Sequence, residues 1–550
     1  MNLLSRFVTR VEYENQEDFE KNYQILVPEK FNYGFDVVDE MARLAPDQRA
    51  LVWTNPQGEE RIYTFAQMKE GSDRAANYLR SLGIGKGDKV MLILKRHYEY
   101  WFILVALHKL GAVAIPATHL LTEKDISYRA NAADVKMIIC TAEGEVAQHV
   151  EAAMPKSPTV EKLVMVRGGA RAGWFSFHEG WAAASPNLER RIEDDTTSSD
   201  MMLLYFTSGT TGMPKMVGHA TAYALGHITT AKYWHNNLDG GLHFTISDTG
   251  WGKAAWGKIY GQWLAGTAVM VYDFDKFVPA EILHIMEKYG VTTFCAPPTM
   301  YRFMIREDLS KIDFSRLTYC CTAGEALNPE VHHQWKRATG MSIHEGYGQT
   351  ETTLTVFSSI YDTPVPGSMG RTSPAYDMDV VDEDGVHCEA GQVGEIVVRT
   401  DHRLPAGLFL GYYRNEELTR DAWHDGLYHT GDTAWRDADG LLWYVGRTDD
   451  IIKTSGYRVG PFEVESALME HPAVLETAIT GVPDPIRGQI IKATIVLNKG
   501  YEPSDALAKE LQDHVKRTTA PYKYPRVVEF IDEMPKTISG KIRRVELRNR

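Results

Sequence analysis

The sequence predicts an α/β protein with a large N-terminal domain of layered sheets, a β-rich subdomain and a small C-terminal α+β domain. Three observations predict it. Apolar runs of strand length alternate with helical stretches from about residue 89 onward, the texture turns to short strands and dense turns after Gly367, and it changes again after Arg447. A chain of 550 residues also exceeds one core, since domains usually run to ~100–200 residues.

Each element follows from its pattern. KVMLIL (89–94) is a short apolar strand, and YWFILVALHKLGAVAIP (100–116) reads as a buried helix, a break at Gly111 and a further strand. LVMVR (163–167) and MMLLYF (201–206) repeat the strand signal, and a long helical stretch spans about 221–233. Such alternation argues for largely buried parallel strands between helical layers. MDVVDEDG (378–385) and GEIVVRT (394–400) look antiparallel, with Asp-Gly and Gly-rich turns. Pro461 suits the first turn of a helix carrying Val464, Ala467 and Leu468 on one face. ETAITGV and QIIKATIVL follow as strands, Ser504 caps a helix with Leu507, Leu511 and Val515 aligned, and RVVEFID is a closing strand. The boundary falls between 1–448 and 449–550.

The bulk properties exclude several classes. The composition, 44% hydrophobic and 24% charged, is that of an ordinary globular chain. No stretch approaches the ~20 uninterrupted apolar residues of a membrane span. A formal charge of -14 argues against nucleic acid as a partner, which needs a basic face, but permits small phosphorylated ligands in a local electropositive pocket. Five scattered cysteines (Cys140, Cys295, Cys320, Cys321, Cys388) form no CxxC pair, so a reducing compartment fits. The basic, apolar start MNLLSRFVTR is short and runs into acid at Glu12, Glu14, Glu17 and Asp18. The cytoplasm is therefore the expected location.

The strongest local signal is YFTSGTTGMPK (205–215): an apolar strand entering a loop with Thr207, Ser208, Thr210 and Thr211 as hydroxyls, Gly209 and Gly212, and Lys215. Glycine allows backbone N–H groups close to an anion, hydroxyls add donors, and lysine supplies countercharge, which suits a triphosphate. It is not a Walker A loop, because Met-Pro-Lys follows Gly212. GIGKGD (83–88) follows a helix and precedes a strand, the wrong order for a dinucleotide turn. His332 and His333 point to different sides of a helix, so a zinc site is not expected.

YGQTE (347–351), YHTGD (428–432), GRTDDIIKTSGYRVGPFEVE (446–465) and PKTISGK (535–541) follow the first motif in order. Together these five strings resemble the adenylate-forming superfamily of acyl-CoA synthetases, adenylation domains and luciferases, and they span more than half the chain. SDTGW (247–251), PDPIRG (483–488) and APYKYPR (520–526) make the likeness greatest to the medium-chain acyl-CoA synthetase branch.

The resemblance implies an acid–thiol ligase that uses ATP, Mg²⁺ and coenzyme A on a small carboxylic acid. An acyl-adenylate forms first, then a thioester, with AMP and pyrophosphate released. Lys541 would be the cation bridging acyl carboxylate and phosphate, with Thr350 on the α-phosphate. Thr207, Ser208, Gly209, Thr210, Thr211, Gly212 and Lys215 would hold the outer phosphates, with Thr210 and Glu351 associated with the metal. Gly324, Glu325 and Ala326, together with the run Glu345, Gly346, Tyr347, Gly348 and Gln349, resemble the nucleotide pocket. There an aromatic such as Tyr347 can stack on the base. Asp432 would accept both ribose hydroxyls, while Arg447 approaches ribose and phosphate.

In this family the small domain rotates between half-reactions about a hinge matching Asp449. Ser455, Gly456 and Tyr457 would then line the pantetheine tunnel. Arg458 (also counted with the nucleotide contacts), Arg487, Lys516 and Tyr524 match positions that meet CoA or pyrophosphate. For the acyl pocket, Gly348 replaces a tryptophan of acetate-restricted relatives and is expected to leave space open, while Trp251, Lys253 and Trp256 resemble lining residues that shorten the cavity or charge it. A medium-length, branched or aromatic monocarboxylate is expected. A carrier-protein-loading ligase is the nearest rival, and a silent nucleotide-binding protein another. Aminoacyl-tRNA synthesis lacks its HIGH and KMSKS strings here.

Overall fold

Apolar residues at alternate strand positions divide between two faces, and this builds the large domain in layers. The computed structural model describes residues 3–207, 213–454, 457–536 and 542–548. A seven-stranded sheet carries Lys89–Ile93, Val113–Ala117, Met137–Thr141, Lys162–Val166 and Met201–Thr207 as parallel neighbours. A nine-stranded sheet centres on Arg49–Thr54, Leu242–Thr245, Ala268–Tyr272, Thr293–Cys295, Tyr319–Ala323 and Ile343–Tyr347, again parallel. Val90 and Leu92 of the first sheet share one core with Leu51 and Trp53 of the second. The intervening Met91 and Ile93 face a second core and Val52 a third. The helix Glu99–Lys109 is buried along its whole length within the shared layer.

Among the described residues, four strand pairs at the edges of these two sheets are antiparallel, against the parallel expectation. Met201–Thr207 pairs antiparallel with Lys215–Ala220, so Thr207 lies opposite Lys215 and the two ends of the phosphate-type motif meet at the sheet edge. The 83–88 segment joins the helix Phe65–Ser81 to the strand Lys89–Ile93, as its sequence order requires.

After Gly367 an antiparallel sheet forms from Asp377–Val381, Val393–Arg399, Trp423–His424, Leu427–Arg436 and Leu442–Arg447. A separate sheet comprises Ile452–Thr454, Tyr457–Val459, Val474–Asp484, Gly488–Leu497 and Val527–Phe530. Its own core includes Val464, Leu468, Leu511 and Val515 from the helices Pro461–Met469 and Asp505–Thr518. Ser504 caps the latter by accepting from Leu507 N. A short helix, Arg544–Arg548, follows where the sequence suggested nothing regular. All five cysteines are free and buried, and no helix among the described residues is long and apolar enough to cross a membrane.

Candidate active site

The site lies beyond the carboxyl ends of Tyr319–Ala323 and Ile343–Tyr347, where parallel α/β sheets bind ligands. Their register sets Thr322 beside Glu345 and Ala323 beside Gly346, bringing the TAGEA and EGYGQTE strings side by side. Gly324 turns there with φ +101, a left-handed value suited to glycine, and no atom would meet a Cβ within 4 Å. Glu325 accepts a hydrogen bond from Thr299 Oγ1 at 2.8 Å.

Glu345 is 6% exposed and, among the described residues, accepts only two backbone amides, from Gly367 at 3.1 Å and Leu327 at 3.3 Å. Burial outweighs both amides and pushes its carboxyl up to about 8.

Asp432 has the opposite surroundings. Its Oδ2 accepts from Tyr347 Oη at 2.7 Å and Gln349 Nε2 at 2.5 Å, and its Oδ1 from Tyr444 Oη at 3.1 Å. Arg447 lies directly across the strand pair from Asp432. Tyr444 and Arg447, three residues apart, would face opposite sides of a regular strand. The register shift between Thr433 and Ala434 lets Tyr444 reach the carboxylate while Arg447 stays across the strand pair, its own ion pair being with Asp449 at 3.5 Å. Burial, reinforced by Asp432, holds the Tyr347 and Tyr444 phenols well above their usual range, so both remain donors. Burial lowers Arg447, yet Asp432 and Asp449 more than compensate and raise it. Gln349 is fixed from three directions: it donates to Asp432 and to Thr430 O at 2.8 Å, and accepts from Tyr428 Oη at 2.8 Å.

The other sheets complete the site. His219, on the strand Lys215–Ala220, donates from Nε2 to Thr350 O at 2.7 Å. Burial holds its imidazole down at about 3, against the Thr350 carbonyl. Glu351 accepts from Tyr412 Oη at 2.8 Å, and Lys215 Nζ lies 5.0 Å from the centre of the Tyr412 ring. Thr350, Glu351, Lys215 and Asp432 thus come from three different sheets into one neighbourhood. Ser208, Gly209, Thr210, Thr211, Gly212, Ser455, Gly456 and Lys541 lie outside the described residues.

The structure corrects the expectation that Gly348 leaves space open. A Cβ there would meet Thr353 O at 2.3 Å and Trp256 Cη2 at 2.6 Å, so the Trp256 indole fills the volume. Lys253 donates to Ala323 O at 2.7 Å, which ties its ammonium to the wall of the nucleotide strand. Trp251 caps the helix Gly252–Gly257 that carries both.

The residues implied for CoA are spread over the C-terminal sheet and its helix. Tyr457 stacks on Tyr522 with centroids 4.1 Å apart, and Arg458 pairs with Glu383 of a turn in the β-rich region. Lys516 lies 4.1 Å over the Tyr524 ring, whose hydroxyl Arg526 contacts at 2.6 Å. Arg487 N donates to Asp484 Oδ1 at 2.7 Å. Asp449 is held by Arg447 Nε at 3.5 Å on one side, and its carbonyl accepts from Arg548 at 3.2 Å on the other. Sequence reasoning missed Tyr412, His219 and Tyr444. None lies in a quoted functional string at a telling position, and only folding brings them to Glu351, Thr350 and Asp432.

The Asp432 carboxylate thus carries two phenols and an amide, with a guanidinium across the strand pair, at the crevice where layered α/β sheets bind ligands. Residues 38–413 match the family model described as AMP-binding enzyme, and 463–541 match its C-terminal domain; the chain belongs to the AMP-binding enzyme family. Within it the chain is an acyl-CoA synthetase, an acid–thiol ligase. It is 41% identical to the mitochondrial acyl-coenzyme A synthetase ACSM3 of Mus musculus, over 99% of this chain and 95% of that one. It is 43% identical to the mitochondrial ACSM5 of Mus musculus, over 95% and 91%. Among solved structures, the anthranilate CoA ligase AuaEII in complex with anthranoyl-AMP superposes with a TM-score of 0.85 at 30% identity, covering 95% of this chain and 98% of that one. A benzoate CoA ligase from Burkholderia xenovorans LB400 does so at 0.82 and 25%, covering 94% and 100%. The expected cytoplasmic location is overturned by these relatives, which are named mitochondrial across nearly the full chain.

Proposed function

We propose that the chain activates a medium-length, branched or aromatic monocarboxylic acid with ATP and transfers the acyl group to CoA. The convergence of Tyr347, Gln349, Tyr444 and Arg447 on Asp432, within reach of Glu351 and Lys215, is the observation that carries this reading. Asp432 takes the ribose hydroxyls, a role suited to an acceptor-only carboxylate. The pocket around Gly324 and Glu345 takes the base. An acid oxygen attacks the α-phosphorus and pyrophosphate leaves with the broken bond's electron pair. The CoA sulfur then attacks the acyl carbon and AMP leaves. Two anions must meet in the first step, so positioning and cationic stabilisation supply most of the catalysis. Lys541 and Lys215 are the assigned cations.

Magnesium fits the donor set. No cluster of three or more His, Cys, Asp or Glu side chains suited to a metal occurs among the described residues. Glu351, however, has one oxygen engaged by Tyr412 and the other unclaimed by any hydrogen bond among those residues. Mg²⁺ characteristically takes one or two carboxylates plus substrate phosphates, so Glu351 and Thr210 would hold it. When bound, it neutralises phosphate charge.

The aromatic ligases among the structural neighbours and the Trp256 indole packed on Gly348 support a compact acyl group. The Asp449 region is assigned the hinge, and Tyr457, Arg458, Arg487, Lys516 and Tyr524 the CoA contacts. Pyrophosphate release from ATP, measured with C2 to C10, branched and aromatic acids with and without CoA, tests the proposal. The expected result is acid-dependent AMP and pyrophosphate, with acyl-CoA only when CoA is present. No turnover with any acid, or acylation only of a carrier protein, would overturn it.

A further inference from the structure

We propose that the Tyr444 hydroxyl is a placeholder on Asp432, occupying a position that a ribose hydroxyl takes, so that nucleotide enters by displacing it. This rests on reading Asp432 as the ribose acceptor. A carboxylate offers about four lone-pair sites. In this structure Oδ2 already accepts twice, from Tyr347 and Gln349, and Oδ1 once, from Tyr444. One site remains, whereas a vicinal diol brings two donors. One resident donor must therefore leave.

Geometry selects Tyr444. Gln349 is anchored by Thr430 and Tyr428 as well as by Asp432, so moving it breaks three bonds. Tyr347 makes the shorter contact, at 2.7 Å, and emerges from the strand that carries the base pocket. The Tyr444 hydroxyl makes the longest contact, 3.1 Å, and no other hydrogen bond among the described residues. The Tyr444 ring lies 6.4 Å from Phe462 on the first helix of the C-terminal domain and 6.4 Å from Tyr347, so releasing its hydroxyl breaks that one hydrogen bond. The placeholder keeps a buried carboxylate satisfied while the site is empty, and an unsatisfied one is costly.

The test uses the full chain and measures AMP dissociation constants and the KM for ATP, 2′-deoxy-ATP and 3′-deoxy-ATP. Tyr444→Phe keeps the ring and removes the competitor, so ATP and AMP bind more tightly by about two- to ten-fold, the worth of one hydrogen bond. In the wild type the tyrosine can stay when the nucleotide lacks the competing hydroxyl. The penalty for deleting that hydroxyl is therefore larger in Tyr444→Phe than in the wild type, by a similar factor. A purely structural tyrosine would not produce this coupling. Unchanged or weaker nucleotide binding in Tyr444→Phe, or equal deoxy penalties in both proteins, overturns the placeholder. Asp432→Asn separates the two ideas. If it leaves the deoxy penalties untouched, the ribose reading itself fails. If it erases them while Tyr444→Phe changes nothing, only the placeholder fails.

Discussion

Two acidic side chains in the candidate nucleotide site are equally buried and have opposite surroundings. Asp432, 5% exposed, collects two phenols and an amide and sits opposite a guanidinium. Glu345, 6% exposed, has two backbone amides and its carboxyl is pushed up to about 8. Burial alone therefore does not decide what a carboxyl group can do, since the donors and cations around it do. Under the proposed reading the ribose end holds an acceptor, whereas the base end presents a carboxyl that burial keeps mostly protonated at pH 7.

The comparison is broken most directly at Asp432. Asp432→Asn replaces one acceptor oxygen with a donor facing Tyr444, Gln349 and Arg447. Its kcat/KM for ATP should fall by about 10²-fold, the scale of hydrogen bonds to a charged acceptor. Steady-state kinetics at saturating acid and CoA would show it. A loss under three-fold would remove the contrast between the two carboxyl groups.

The same logic applies to cations away from the nucleotide. Lys109 is fully buried but donates to Asp39 and Asp73 at 2.5 and 2.6 Å. The Lys258 ammonium, on a residue 1% exposed, makes no hydrogen bond or ion pair with any described residue, and burial followed by Arg96 depresses it to about 7 despite Asp248 and Asp273. With its folded value below the usual 10.5, the lysine favours folding above pH 10.5, and that contribution is lost as pH falls to about 7. Lys258→Met should therefore stabilise the protein by on the order of a few kcal/mol at pH 7. The gain should shrink toward pH 10, as denaturant midpoints at several pH values would show. A destabilised variant at pH 7 would mean that Lys258 has a role the contrast omits.

Much of this was legible in the sequence, for identifiable reasons. The layered sheets follow from short continuous apolar runs such as KVMLIL, the mark of strands buried on both faces, and the C-terminal domain from Ser504 and the Leu507, Leu511, Val515 stripe. Asp432 and Glu351 sit inside strings that carry the family resemblance. Tyr412 and His219 were not legible, because nothing local distinguishes a phenol bound for Glu351 from a core tyrosine. Gly348 was misread for a related reason. Its missing side chain suggested space, but the volume belongs to Trp256, 92 positions earlier in the chain. Trp256→Ala offers the corresponding check, since each methylene admitted changes discrimination by ~1–3 kcal/mol.

The smallest effect on activity should come from Glu345→Gln. The glutamine preserves shape and, at neutral pH, changes a neutral acid to a neutral amide, so kcat/KM for ATP at pH 7 should change by less than about two-fold. The informative difference lies in pH. With a folded value raised to about 8 from 4.5, Glu345 contributes stability that is full below 4.5 and lost as pH rises through about 8. The glutamine variant should lack that slope, so its stability relative to the wild type should rise most clearly above pH 8. Gly367 N–H donates to Oε1 and Leu327 N–H to Oε2, so the glutamine oxygen keeps one of these bonds while its NH2 faces the other N–H, a cost that does not vary with pH. Parallel pH profiles for the two proteins would mean that Glu345 carries its charge in the folded state after all. The base end and the ribose end would then differ in geometry alone.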